Sequence, residues 1–220
     1  MKTIMLSAFG RFGSYISNPT EIVAGRLNGK NVSGFTINTV VFEPVICGKN
    51  IGLELLHLAR NAGAKGVVCL GVASEKSGLC VESSAVNRIC NEKYCASWQN
   101  NTPIDRNRPY GENLDVCFDL WNLEQFFGVC HLAGVPVMPI SKNAGMFCYN
   151  SLMYQLCVAQ IGLHPSDRIP FIFIHTPCSP ESIPDIGKFL RDGKITMTID
   201  QIIHGLSLLL ESFLLGKAFL

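Results

Sequence analysis

The sequence predicts an α/β fold: a three-layer sandwich in which helices cover both faces of a mostly parallel, mixed sheet. Short, almost wholly apolar runs recur along the chain, as strands buried on both faces require. Segments whose apolar residues recur at helical spacing separate them. The links between the two are short and rich in Gly, Asn and Pro, so β and α elements alternate. At 220 residues, with no repeat, low-complexity tract or linker, the chain is expected to form one domain over 1–220.

Residues 3–8 read as a buried first strand, followed by the turn Phe9-Gly10-Arg11-Phe12-Gly13. A helix opens at Asn18-Pro19-Thr20-Glu21, with Asn18 suited to the N-cap, Pro19 to the first helical position and Glu21 to a capping box. Residues 35–42 are expected as a second strand, 50–62 as a helix ended by Gly63, and 66–71 as a third, fully apolar strand. Residues 79–86 form a candidate strand. The polar stretch 91–113, broken by Pro103 and Pro109, is a loop long enough to be functional. Residues 120–132 resume as a helix ended by Gly134, and 135–140 have the look of a buried strand. A helix from Cys148 to Gly162, a strand at 169–174 and helices from about 183 and about 199 complete the expectation.

A net charge of +1 without a sustained basic cluster argues against nucleic-acid binding. The ten cysteines lie among apolar runs with no Cys-x-x-Cys pair, which reads as buried thiols in a reducing cytoplasm. The opening apolar run is too short for a signal peptide. Residues 202–220 are strongly apolar, but His204, Glu211 and Lys217 interrupt them, so a buried or subunit-interface helix is expected and no membrane span. His175-x-x-Cys178 and Cys130-His131 lack a closing pair at zinc-like spacing, and Gly10-x-x-Gly13 lacks a full dinucleotide fingerprint, so no metal or cofactor is expected.

The chemistry centres on 141–154. Ser141, Asn143 and Gly145 mark a strand-to-helix turn, which places Cys148 and Tyr149 in the first helical turn. Unpaired backbone N–H groups and the helix dipole favour a thiolate there. His175 directly follows an apolar strand, on the sheet edge where α/β proteins place their sites. Alone it reads as a core histidine; beside a cysteine at a helix start it is the usual general base.

The pattern Ser141-x-x-Ala144-Gly145-x-Phe147-x-x-Asn150-x-x-x-Tyr154 resembles the cysteine motif of pyroglutamyl peptidase I, the cysteine peptidases that remove N-terminal pyroglutamate. Ile174-His175-Thr176-Pro177 resembles their histidine motif, and Glu82, Ala85 and Asn87 keep the spacing of their glutamate motif. The resemblance implies a pyrrolidone-carboxylate-peptidase-like sandwich, a homo-oligomer, a small-molecule or peptide N-terminal substrate, and a Glu82 carboxylate hydrogen-bonded to the His175 ring. It also implies that Phe9 and Phe12 pack around a pyrrolidone ring, with Asn143 and Gly145 as further substrate-binding candidates.

The departures fall in the site. The family's catalytic cysteine directly precedes the asparagine, a position held here by Tyr149, while Cys148 stands one residue earlier and about 100° round the helix. The family's oxyanion arginine falls on Glu92, with Lys93, Arg88 or Arg106 as possible replacements. Arg11 replaces the proline of the aromatic turn, Ser83 and Ser84 replace a basic and an aliphatic residue, and Ser74-Glu75-Lys76 stands in place of small glycines and an arginine. Three readings stay open, in this order: a diverged enzyme using Glu82 and His175 for acid/base chemistry on a small cyclic or amide substrate; a working peptidase with Cys148 as displaced nucleophile; and a non-catalytic binding homologue.

Overall fold

The computed structural model describes residues 2–44, 49–89, 101–118 and 120–216. Among the described residues the strands are β1 (Lys2–Phe9), β2 (Asn31–Val32), β3 (Phe35–Phe42), β4 (Ala64–Val72), β5 (Cys80–Glu82), β6 (Ser84–Val86), β7 (Asn113–Asp115) and β8 (Phe171–Thr176). The helices are α1 (Pro19–Leu27), α2 (Ile51–Asn61), α3 (Leu123–Leu132), α4 (Cys148–Val158), α5 (Ile186–Arg191) and α6 (Ile199–Gly216). Six strands form one sheet in the order β2-β3-β1-β4-β8-β5. The pairs joining β3, β1, β4 and β8 are parallel, and the short edge strands β2 and β5 run antiparallel to their neighbours.

Strand alternation produces the three layers. Ile4, Leu6, Val68, Leu70, Ile172 and Ile174 pack with α1, α3 and α6, where Val23, Phe126, Ile202 and Leu206 meet them. Met5, Val67, Cys69, Phe171 and Phe173 pack with α2 and α4, where Leu55, Leu56, Leu152 and Met153 lie. Both faces are therefore buried, which is why these strands read as unbroken apolar runs. Asparagines start the helices: Asn18 accepts from Thr20 N at 3.0 Å, Asn50 from Leu53 N at 3.2 Å and Asn122 from Gln125 N at 3.0 Å. The Asn122 cap places the start of α3 at Leu123, within the expected 120–132.

Three expectations need correction. Residues 135–140 are not a regular strand, because Pro136 and Pro139 supply no N–H. The segment lies along β5 through isolated bridges, with Leu79 N donating to Pro136 O and Met138 N to Leu79 O. Residues 79–86 break at Ser83, whose N–H turns aside to Ser141 O at 2.7 Å; β5 stays in the main sheet while β6 pairs with β7. The helix expected from about 183 is a 3₁₀ turn, Pro180–Ser182, followed by α5, which Asp185 caps through Lys188 N.

In α6, Ile202, Leu206, Leu209, Leu210 and Phe213 are buried while His204 and Glu211 are exposed, so the apolar stretch covers the sheet. Residues 217–220 of the expected helix lie outside the described residues. No described helix is long and apolar enough to cross a membrane.

Close approach of α2 to α4 depends on Gly52. A Cβ there would stand 2.5 Å from Gln155 Cβ and 3.1 Å from the Leu156 nitrogen, while Gly52 N donates to Gln155 Oε1 at 2.8 Å. Gly52→Ala is expected to force the helices apart and lose about 1–2 kcal/mol net, after the better helix propensity of alanine is counted. A lower urea midpoint with unchanged m-value checks this.

Candidate active site

Register builds the site. In the antiparallel β5–β8 pair, Cys80 faces His175 and Glu82 faces Phe173, so all four side chains share one side of the sheet. Glu82 and His175 are then diagonal neighbours, and Glu82 Oε1 lies 2.8 Å from His175 Nδ1. The Glu82 side chain is fully buried and that of His175 nearly so. Lys76 Nζ, from the turn after β4, lies 3.2 Å from the same oxygen. Burial alone would raise the Glu82 carboxyl, but the His175 hydrogen bond, the Ser141 hydroxyl nearby and the Lys76 charge more than offset it. The carboxyl is held below its ordinary range.

His175 also lines a cleft of about 280 Å³, walled by Phe12, Tyr15, Val72, Glu75 and Met146 together with Asn143, Gly145 and Tyr149. Tyr149 is the second residue of α4. Its ring stands edge-on to His175 at 5.1 Å between centroids and to Phe9 at 4.9 Å, and its hydroxyl accepts from Val72 N at 3.4 Å. Burial pushes this phenol well above its ordinary value, and the neighbouring Cys148 thiol adds to the shift. Room for the rings comes from Gly71: a Cβ there would meet Phe173 Cζ at 2.8 Å and both His175 Cδ2 and Tyr149 Cδ1 at 3.1 Å.

The candidates therefore divide. Glu82, His175 and Tyr149 come together, and Phe12, Asn143 and Gly145 reach the cleft. Cys148, at the first position of α4, is 2% exposed and forms no part of the cleft wall. Phe9 is fully buried behind Tyr149. The Asn143 side chain caps its own turn, accepting from Gly145 N at 3.1 Å, with Gly145 at φ 78°. Arg88 is engaged with Asn101 Oδ1, and Arg106 lines a separate cleft beside Asn50 and Tyr154. Glu92 and Lys93 lie outside the described residues. Among the described residues, no group of three His, Cys, Asp or Glu side chains could hold a metal ion.

Sequence reasoning passed over Tyr15, Met146 and the charge role of Lys76; only the unusual run 74–76 hinted at the last. It also missed the supports of α4. Asn150 accepts from Val86 N and donates to Val86 O and Arg88 O at 2.8–3.0 Å, clamping the strand after Glu82 to the helix. Asn87 donates to the carbonyls of Asp105, Arg108 and Pro109. Ser83 and Ser84 hydroxyls donate to the carbonyls of Ser141 and Lys142, tying down the entry to α4.

Further along α4, Tyr154 donates to Glu112 Oε2, and Arg108 grips both oxygens of that carboxylate at 2.6 and 2.7 Å. The Arg108 fork first, and then Tyr154, hold the Glu112 carboxyl down at about 2. Because the folded value is depressed, the stabilisation is present above the ordinary 4.5 and disappears as pH falls through about 2. Glu112→Gln is expected to lower the melting temperature at pH 7, with the gap from wild type closing across that acid window. Thermal unfolding followed by circular dichroism at stepped pH checks it.

A family model for pyroglutamyl peptidase matches residues 2–214. A pyrrolidone-carboxylate peptidase of Bacillus cereus is 27% identical over 215 residues, covering 96% of this chain and 92% of its own length. One from Pectobacterium atrosepticum is 29% identical over 184 residues, 82% of this chain and 80% of its own. Among solved structures, the pyrrolidone carboxyl peptidase of Thermococcus litoralis superposes with a TM-score of 0.78 at 23% identity, over 99% of this chain and 96% of that one. Pyroglutamyl peptidase I of Bacillus amyloliquefaciens gives 0.76 at 22% identity, over 96% and 95%. The expected sandwich is thus the fold of those peptidases, and with the model match running almost end to end, this chain belongs to the pyroglutamyl peptidase family.

Proposed function

We propose that this chain is a diverged family member that acts on a small cyclic or amide-bearing substrate, either a small molecule or a peptide N-terminus. It works by proton transfer through Glu82 and His175 and forms no cysteine acyl-enzyme. One observation carries the reading: the Tyr149 ring packs against His175 in the cleft, while Cys148 does not line it.

The chemistry follows from the pair. Nδ1 donates its proton to Glu82 Oε1, so in the neutral ring the lone pair is on Nε2. That nitrogen can take a proton from water or from a substrate group in the cleft, and Glu82 steadies the imidazolium that results. Tyr149 does not replace a thiol. A phenol buried and raised well above 10 holds almost no phenolate near neutrality. A cleft of about 280 Å³ with Phe12, Tyr15 and Val72 as apolar walls suits a flat ring bearing one amide. A reducing, cytoplasmic setting accords with Cys69, Cys130 and Cys157 standing as free thiols.

The rival is Cys148 as nucleophile, favoured by its place at the first turn of α4. An assay separates the two. Native protein is expected to leave a chromogenic pyroglutamyl amide unhydrolysed, and Cys148→Val with Tyr149→Cys is expected to create a thiol reactive toward iodoacetamide beside His175. Turnover at enzymatic rates that Cys148→Ser abolishes would make Cys148 the nucleophile and end the diverged-site reading. On a panel of lactams and small cyclic amides, at least one is expected to turn over, falling by about 10²–10⁴ in His175→Gln. A panel that is bound but never converted would leave a binding protein instead.

A further inference from the structure

We infer that Lys76 is a positioning residue of the Glu82–His175 pair: its ammonium shares Glu82 Oε1 with the imidazole and so sets how tightly His175 holds a proton. The inference rests on reading that pair as acid/base machinery, and it adds a third member to it.

The geometry is specific. One carboxylate oxygen takes both contacts, His175 Nδ1 at 2.8 Å and Lys76 Nζ at 3.2 Å, while Oε2 has no hydrogen-bond partner among the described residues. The Lys76 side chain is itself only 12% exposed. Its backbone is held in a tight turn, Lys76 N donating to Ala73 O at 3.1 Å, and its ammonium also contacts Cys80 Sγ at 3.4 Å. Burial works most strongly against this ammonium, but the Glu82 charge, the Cys80 sulfur and the hydrogen bonds to both together outweigh it and hold the lysine above its ordinary value.

A buried carboxylate beside an imidazole favours the ring's protonated form, and a charged imidazole accepts no proton. With Lys76 on the same oxygen, the local charge of carboxylate and ammonium sums to zero. Glu82 then orients the ring while its pull on an added proton is weakened. The other ionisable groups near the imidazole are Cys80 on β5, Tyr149 on α4, and Glu75 and Tyr15, which line the same cleft. None of these carries a positive charge, and the Lys76 ammonium is the lysine or arginine cation in contact with Glu82 among the described residues.

The test is a titration of ¹³Cε1-labelled histidine followed by NMR; the chain has five histidines, and the His175 signal is the one missing in His175→Gln. Lys76→Met and Lys76→Gln are each expected to raise the His175 midpoint by about one unit, a proton bound about tenfold more tightly. Lys76→Arg, which keeps the charge, is expected to restore the wild-type midpoint. A midpoint that moves by less than about 0.3 unit, or falls, in a folded neutral variant overturns the inference. Loss of fold in both neutral variants would assign Lys76 to stability alone and overturn it as well. Because the titration needs no substrate, it decides the role of Lys76 separately from the lactam assay, which decides the proposed activity.

Discussion

A carboxylate with no exposed surface is costly to a fold unless charges and hydrogen bonds replace the water it has lost. Glu82 is such a group, on a three-residue edge strand. Its compensation arrives from three separate stretches of chain: His175 at the end of β8, Lys76 in the turn after β4, and Ser141 ahead of α4. One charge therefore draws together the end of the parallel sheet, the rim of the cleft and the entry to the helix that carries Tyr149. It also fixes which ring nitrogen of His175 faces inward.

The two sheet faces divide stability from chemistry. Ile172 and Ile174 turn to the α1–α3–α6 side, an apolar cluster anchored by Trp121 and Phe213, whose rings lie 4.3 Å apart. Phe171, Phe173 and His175 turn the other way, toward α2 and α4, where polar groups enter the packing. A strand with the alternation of β8 serves both, and its final inward position is where apolar packing gives way to a titratable ring. Tyr149 completes that transition by meeting Phe9, Phe173 and His175 with its edges and faces.

The alternating β and α elements were legible because buried parallel strands show themselves as apolar runs and because Asn18, Asn50 and Asn122 announce helix starts. The Glu82–His175 contact was legible only through motif spacing, since 93 positions separate the two residues. Elsewhere the sequence misled for definite reasons. Apolar composition at 135–140 masked two prolines that cannot donate to a ladder, and the break at Ser83 depends on a carbonyl far along the chain at Ser141. Phe9 and Phe12 looked equivalent, yet Phe9 ends β1 inside the core while Phe12 has already left the strand for the cleft. The Asn150 clamp could not be foreseen, because nothing local marks an asparagine that bonds across 64 positions.

The proline-bearing stretch beside β5 has a wider consequence. The last strand of an open sheet offers a row of unsatisfied backbone groups on which a foreign strand can nucleate. Here that row is occupied: Leu79 N, Leu79 O, Val81 O and Ser83 N are all taken by the 136–141 segment, and that segment's own prolines give an incoming strand no regular ladder to extend. The opposite margin is β2, only two residues long. The β5 border of the sheet is thereby guarded against amyloid-like templating, while at the other margin β2 pairs with Phe35 and Thr36 alone.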